Sequence, residues 1–343
     1  MAGWVLHVDL DQFQAAVEVL RQPSLAGQPL IVGGSGDPTE PRKVVTCASY
    51  EARAFGVHAG MPLRAAYRKC SDAVFLPLDG PAYEAASTQV MDTLRRFPVE
   101  VEVWGWDEAF VGAVTDTPEA LARDIQIAVG ESAGLRCSVG IGDSKQRAKI
   151  ATGLAKPAGI ARLDRHTWMP TMAAKPTSAL WGIGTKTATK LAARGIGTVG
   201  ELAATDPDVL AESFGPTIGP WLRQLALGTG STRVNSEPRE PRSRSHVITF
   251  PRDLTSRAEI ERQLDELARA LTAEVVADGR TVRRVAIVVR TTTFFTRTRI
   301  TTLPDATRDA DEVATAAVAL LERFERFELT RPVRLVGVRV EFP

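Results

Sequence analysis

Four carboxylates placed far apart in this chain have the types and positions that metal chemistry requires. Asp9 and Asp11 lie near the end of an apolar stretch, WVLHVDLD, in which Leu6, Val8 and Leu10 alternate with Val5, His7, Asp9 and Asp11. Period-two alternation is the signature of a strand, and it sets both aspartates on one face for as long as the strand lasts. Asp107 and Glu108 are adjacent in a second strand-like run, VEVWGWDEAFVGAV. If the two runs neighbour each other in one sheet, Asp9, Asp107 and Glu108 converge. Three hard oxygen donors around one point suit Mg²⁺, which takes a few carboxylates and keeps positions for water and phosphate. A two-metal phosphoryl-transfer site has that requirement.

Two further segments carry groups suited to a triphosphate. CASYEARAFGVHAGMP opens a helix with Tyr50 and Arg53 three residues apart, hence on one face near its N-terminus. Arg53 can contact a phosphate in bidentate fashion, and Tyr50 can add a hydroxyl. SKQRAKIATGLAKPAGI places Lys149 and Lys156 seven residues apart, about two turns along one helical face. A third motif, ALWGIGTKTATKLAARGIGTVGELAAT, has Gly182-Ile183-Gly184 in a tight hairpin. Its glycines let backbone N–H groups approach a phosphate, and the helix that follows shows Lys186 and Lys190 on one face. That pattern is similar to a helix-hairpin-helix, a sequence-nonspecific binder of the DNA backbone.

These groups need a scaffold, and the composition supplies one. The chain has 343 residues, 44% of them apolar, enough for two to four modules with proper cores. No 18-residue apolar run exists to cross a membrane, and the N-terminus enters a strand without a signal segment, so the expected location is the cytoplasm. Cys47, Cys70 and Cys137 are odd in number, widely spaced and without His clusters, which argues against a disulfide framework and a zinc site. Net charge is only +1, yet residues 142–200 hold ten Lys/Arg against two Asp, a local net of +8. From Ser231 onward there are twenty arginines and no lysine. Several are interleaved with Ser and Thr in strand-like runs, and Arg242, Arg244 and Arg297 are candidate contacts to a DNA backbone.

Turn-rich GGSGDPTEPRK interrupts the first third, and polar STRVNSEPREPRS (231–243) reads as a domain linker. Beyond it the pattern predicts a strand at Ser245–Phe250, a helix at Arg257–Ala277 and two strands joined by a threonine-rich turn. A helix at Ala310–Phe327 and a strand at Val333–Glu341 complete the order. This βαββαβ order makes one small α+β domain.

Taken together, HVDLDQF, SYEAR with FGV, the DEA triplet, CSVGI, AKIA with AKP and GI, the hairpin motif and the arginine-rich last module resemble the Y-family DNA polymerases. The nearest branch is that of DNA polymerase IV (DinB). The resemblance runs in family order over essentially the whole chain. It implies an α+β multidomain right hand, with a palm (1–11 and 78–165), fingers (12–77), a helix-hairpin-helix thumb (166–230) and a βαββαβ little finger (244–343). It implies that Asp9, Asp107 and Glu108, with the Leu10 backbone, hold two Mg²⁺ ions for which Mn²⁺ can substitute. The segment Leu10, Gln12, Phe13 and Gln14, with Cys47, Tyr50, Arg53 and Lys156, would hold the incoming nucleotide. The implied partners are primer-template DNA and dNTPs, to which the departure at Gln14 adds rNTPs; the chain is expected to act as a monomer, and the implied task is translesion synthesis.

Three departures from the family pattern matter. Trp106 stands where the family often has Ser before Asp-Glu, which should leave metal binding intact. Cys47 replaces a Thr, a weaker donor that would lose one phosphate contact or pass it to Thr46. Gln14 stands where the family places a Tyr or Phe under the sugar as a gate against the 2′-hydroxyl. Gln is smaller, flexible and able to hydrogen-bond, so weakened sugar selectivity is expected. A nucleotidyl cyclase would share the carboxylates without needing the hairpin or the arginine-rich module. A DNA-binding scaffold would keep those but not Asp9, Asp107, Glu108, Tyr50, Arg53 and Lys156 together. The final VRVEFP shows no Gln-x-x-Leu-x-Phe peptide, which leaves recruitment by a sliding clamp open.

Overall fold

Alternating apolar residues, glycine turns and capped helices build the following elements, seen in a computed structural model that describes residues 2–238, 240–324 and 331–343. The chain forms two compact units, Met1–Pro238 and Arg239–Pro343. The first opens with β1 (Ala2–Leu10) and α1 (Phe13–Arg21), then β2 (Leu30–Val32), β3 (Cys47–Ala48), α2 (Tyr50–Ala54), α3 (Leu63–Lys69) and β4 (Val74–Leu76). After α4 (Gly80–Leu94) come β5 (Glu100–Val103), β6 (Glu108–Thr115), α5 (Pro118–Ala133), β7 (Cys137–Gly142), α6 (Lys145–Ala155) and β8 (Ile160–Leu163). Short helices follow: α7 (Trp168–Met172), α8 (Thr185–Ala192), α9 (Val199–Ala204), α10 (Pro207–Phe214) and α11 (Ile218–Ala226).

The main sheet of this unit has the order β5-β6-β1-β7-β8, antiparallel except for β7 beside β8. Its two faces divide the residues of β1. Leu6, Val8 and Leu10 join Val111, Val139 and Ile141 under α4 and α5 in the largest core. Val5 and Phe110 face the other way and pack on Ala148 of α6. The helix can lie that close only because β7 is cut back to glycine. A Cβ on Gly140 would stand 2.0 Å from the Ala148 carbonyl oxygen and 2.2 Å from the Thr152 nitrogen. Separate cores hold the β3-β2-β4 sheet with α2 and α3, and the α7–α11 cluster around Trp168.

The second run of the sequence is a hairpin rather than one strand. Trp104 and Gly105 both donate to the Glu108 carbonyl, at 3.0 and 3.2 Å, closing a turn that leaves Asp107 on the bend and Glu108 as the first residue of β6. β1 ends at Leu10, and Gln12 takes a left-handed conformation (φ 43°), so Asp11 leaves the face that Asp9 occupies. Residues 231–235 run extended against the palm: the Lys145 N–H donates to the Ser231 carbonyl at 2.9 Å, and Val234 is buried beside Val5 and Phe110.

The second unit is β9 (Ser243–Leu254), α12 (Arg257–Ala277), β10 (Val282–Thr291), β11 (Thr296–Thr307), α13 (Ala310–Ala319) and β12 (Val333–Glu341). This is the βαββαβ order expected from the sequence, with β9 longer at both ends. Its antiparallel sheet runs β11-β10-β12-β9, and Val285, Ile287, Val289, Val336, Val338 and Val340 bury one face under the two helices. Ser256 and Glu259 stand in capping-box positions at the start of α12, the Ser256 N–H donating to Glu259 Oε2 at 3.4 Å. α13 gives way to a 3-10 turn at Leu320–Arg323, and the predicted continuation to Phe327 lies outside the described residues from 325 on.

Candidate active site

Asp9 and Glu108 are directly paired in register across β1 and β6, which puts both side chains on the α6 face of the sheet. The Leu10 N–H donates to the Asp107 carbonyl at 2.8 Å, tying the end of β1 to the hairpin that bears the other two acids. The tightest group of potential ligand atoms is that of His7, Asp9 and Glu108, all within 4.8 Å of one another. Asp107 lies outside this group. Burial, and then the charges of Asp9 and Glu108, raise its pKa above the ordinary carboxylate value. Asp9 and Glu108 side by side, with Asp107 near enough for their charges to raise its pKa, are a donor set that a divalent cation suits.

His7 did not emerge from the sequence as a site residue, although it shares the Asp9 face of β1. It is fully buried, and burial holds its pKa below the ordinary value, leaving the ring neutral near pH 7. Its Nδ1 lies 3.0 Å from the Thr152 hydroxyl and its Nε2 lies 3.2 Å from Glu108 Oε2. That hydrogen bond, reinforced by the Lys149 ammonium in contact with Glu108, depresses the Glu108 pKa to about 2 against the effect of burial. Lys156 Nζ lies 2.5 Å from Asp9 Oδ1. The two lysines reach the acids by different routes. Lys149 projects from α6, whereas Lys156 is one residue past the helix, in an extended conformation before Pro157. The single helical face expected for the pair is therefore not what aligns them; the turn after α6 is.

The nucleotide candidates gather at the N-terminal ends of α1 and α2. Ser49 caps α2, and the Tyr50 N–H donates to Gln12 Oε1 at 2.6 Å. The Tyr50 hydroxyl donates to Asp11 Oδ1 at 2.8 Å, and burial together with that carboxylate pushes the phenol pKa up. Arg53 is exposed; its Nε donates to the Ala48 carbonyl at 2.9 Å and its guanidinium lies 5.0 Å from the Tyr50 ring centre. Phe13 is buried and packs edge-on against Tyr83, so it offers the site its backbone only. Gln14 is half-buried, and its Oε1 accepts from the Thr46 hydroxyl at 2.7 Å. Cys47 is buried, its thiol pKa raised by burial while the backbone N–H groups of Ala15 and Gln14 point to the sulfur.

The nucleic-acid candidates fall into different environments. Gly182 turns the thumb hairpin at φ 99°, and Gly184 caps α8 without a side-chain partner. The hairpin is preceded by one 3-10 turn, Thr177–Ala179. Lys186 is exposed at the first turn of α8, whereas Lys190 lies over the Phe214 ring at 4.4 Å and donates to the Ser213 carbonyl at 2.6 Å. In the second unit Arg242 is exposed, Arg244 pairs with Asp278 on the helix side, and Arg297 lies over the Phe295 ring at 4.6 Å. Register decides which arginines face away from the helices. Val289 of the core is paired with Arg297, so Arg297 belongs to the helix face, while Arg284, Arg290 and Arg339 alternate onto the open face beside Ser245, Thr296, Thr298 and Thr302, where Arg284 and Arg339 share the Glu341 carboxylate at 2.8 Å each. Those three arginines were not singled out in the sequence, where alternation alone does not say which face is covered.

Fold and acidic centre together define a palm-centred, right-hand polymerase architecture. The model of the impB/mucB/samB family matches residues 8–153, and that of the family's C-terminal domain matches residues 241–342. DNA polymerase IV 2 of Mycobacterium bovis is 56% identical over 341 residues, covering 98% of this chain and 97% of that protein. DNA polymerase IV of Methanoculleus marisnigri is 39% identical, with 98% and 93% covered. A solved Y-family DNA polymerase chimera superposes with a TM-score of 0.84 at 25% identity, covering 98% of each chain. The chain belongs to the impB/mucB/samB family, in the DNA polymerase IV branch of the Y-family polymerases. Among the described residues no helix is long and apolar enough to cross a membrane.

Proposed function

We propose that this DNA-directed DNA polymerase extends a primer 3′-hydroxyl by two-metal phosphoryl transfer during translesion synthesis, with ribonucleotides admitted alongside deoxyribonucleotides. The observation that carries the reading is the pairing of Asp9 with Glu108 across β1 and β6, beside Asp107, under the ammonium groups of Lys149 and Lys156. Asp9, Asp107 and Glu108, with the Leu10 carbonyl, would hold two divalent cations, Mg²⁺ or Mn²⁺ in its place, whose charge favours the attacking alkoxide and the leaving pyrophosphate.

The protein's own groups do the rest. Lys156 exchanges Asp9 for a phosphate oxygen, Arg53 offers the Nη edge of its guanidinium, Tyr50, its phenol proton held by Asp11, supports that guanidinium with its ring, and the α1 N-terminus directs the N–H groups of Gln12 and Phe13 at the triphosphate. His7 orients Glu108 and keeps it ionised. The exposed Lys186 and the open-face arginines Arg284, Arg290 and Arg339 hold the primer-template by its phosphates, without reading sequence. A fingers sheet of three strands, none longer than three residues, encloses the nascent pair loosely, which suits damaged templates.

Asp107→Ala tests the site. Primer extension is expected to fall by a factor of a thousand or more, roughly 4 kcal/mol of transition-state stabilisation, with DNA affinity within about twofold of wild type. Substantial extension by this variant would remove the metal assignment.

A further inference from the structure

We propose that Asp11, the second acid of the Asp-x-Asp pair, is a positioning residue for nucleotide binding: one buried carboxylate locks Tyr50 and the turn after Lys156 to the end of β1. The inference rests on the assignment of Tyr50 and Lys156 to the triphosphate. Asp11 is 3% exposed and stands outside the acidic centre. Its Oδ1 accepts from the Tyr50 hydroxyl at 2.8 Å and from the Ser138 hydroxyl at 2.9 Å, and its Oδ2 accepts from the Ala158 N–H at 2.6 Å. The donors come from three elements far apart in sequence: α2 in the fingers, β7 in the palm, and the turn two residues beyond Lys156. Asp11 itself is held by its own N–H, which donates to the Arg136 carbonyl at 2.9 Å.

A buried carboxylate without a cation is costly, and only a full set of donors makes it tolerable. Here the donors are the groups that nucleotide binding needs in place. The Tyr50 ring is pinned at both ends, through its N–H on Gln12 and its hydroxyl on Asp11. Lys156 is bracketed likewise, its ammonium on Asp9 and its chain fixed two residues on by Asp11. The two acids thus divide the work. Asp9 faces the reacting groups, and Asp11 presets what meets the triphosphate, so less ordering is left for the binding event.

Asp11→Asn keeps the volume but has one acceptor oxygen for donors on two sides, so part of the network must let go. In single-nucleotide insertion on primer-template DNA with dNTP and Mg²⁺, its nucleotide KM is expected to rise about tenfold while kcat stays within about threefold. DNA affinity should not move. Tyr50→Phe should raise KM alone but add little in the Asp11→Asn background, because both act on one contact. If Asp11→Asn leaves KM unchanged while Tyr50→Phe raises it, the proposal is wrong and the triphosphate reading stands. If Tyr50→Phe itself has no effect on KM, the underlying reading fails and this inference with it. Loss of kcat at constant KM would move Asp11 into the acidic centre and overturn the proposal. Should Asp11→Asn not fold, Ser138→Ala deletes one of the three donors under milder conditions; a two- to threefold rise in KM is expected, and a wild-type KM there overturns it.

Discussion

Replacement of Gln14 offers the sharpest test of sugar selectivity. The Thr46 hydroxyl holds Gln14 Oε1 at 2.7 Å, and the amide nitrogen has no hydrogen-bond partner among the described residues. With its carbonyl end tethered, the side chain is less free than a surface glutamine, and the end left over is a donor. A donor at this position can meet a 2′-hydroxyl, and a neutral hydrogen bond of this kind is worth about 0.5–1.5 kcal/mol, or roughly two- to thirteenfold in rate. An aromatic ring in its place would overlap the same oxygen, which costs ~1–3 kcal/mol. Phe13 cannot act as the gate instead, because its ring is buried against Tyr83. The expectation is that Gln14→Tyr raises the dNTP over rNTP ratio of kcat/KM at least about tenfold, or ~1.4 kcal/mol. Gln14→Leu, which keeps bulk but not the donor, should shift the ratio by the hydrogen-bond part alone. Thr46→Val should act in the same direction as Gln14→Leu by releasing the amide. Single-nucleotide insertion with matched dNTP and rNTP measures all four proteins. Strong sugar selectivity already present in the wild type and unchanged in Gln14→Tyr would refute the reasoning and place the gate elsewhere.

Two further expectations concern DNA binding and the scaffold. Lys186→Ala should lower the slope of log affinity against log salt on duplex DNA by about 0.9, one phosphate contact, and Arg290→Ala should do the same. Lys190→Ala and Arg244→Ala should change the slope less, since the Lys190 ammonium is held by a carbonyl and the Phe214 ring and Arg244 by a carboxylate, whereas Arg290 gives only its Nε to the Thr296 hydroxyl; equal slopes for all four variants would contradict this division. Gly140→Ala should destabilise the fold by about 3 kcal/mol, because its Cβ would have to displace the α6 backbone. Gly153→Ala, on the exposed side of α6 with nothing within 4 Å of a new Cβ, should instead gain ~0.5–1 kcal/mol of helix propensity. Denaturant unfolding of both variants checks the pair, and a neutral Gly140→Ala would show that α6 does not bear on β7.

Local periodicity by itself determined a good deal of this protein. Alternation through WVLHVDLD makes β1, and Ser256 with Glu259 starts the long α12 that the apolar spacing requires. The motif order establishes the family, and the acids, lysines, Tyr50 and Arg53 were visible as residue types. Which of these meet was decided by pairing and turns, which depend on residues a hundred or more positions away. Register across β1 and β6 set Asp9 against Glu108, and the same register brought in His7 from the strand's α6 face. A left-handed Gln12 took Asp11 off the face of Asp9 and buried it under three donors, so two acids of one motif acquired different surroundings. A helix ending at Ala155 passed the alignment of Lys156 to the turn that follows. In the arginine-rich unit alternation gives two faces, but only the packing of α12 and α13 says which is covered, and so Arg284, Arg290 and Arg339 rather than Arg297 lie on the open one. Side-chain period is a property of the chain within a few residues, whereas the environment of a charge belongs to whatever the folded chain packs against it.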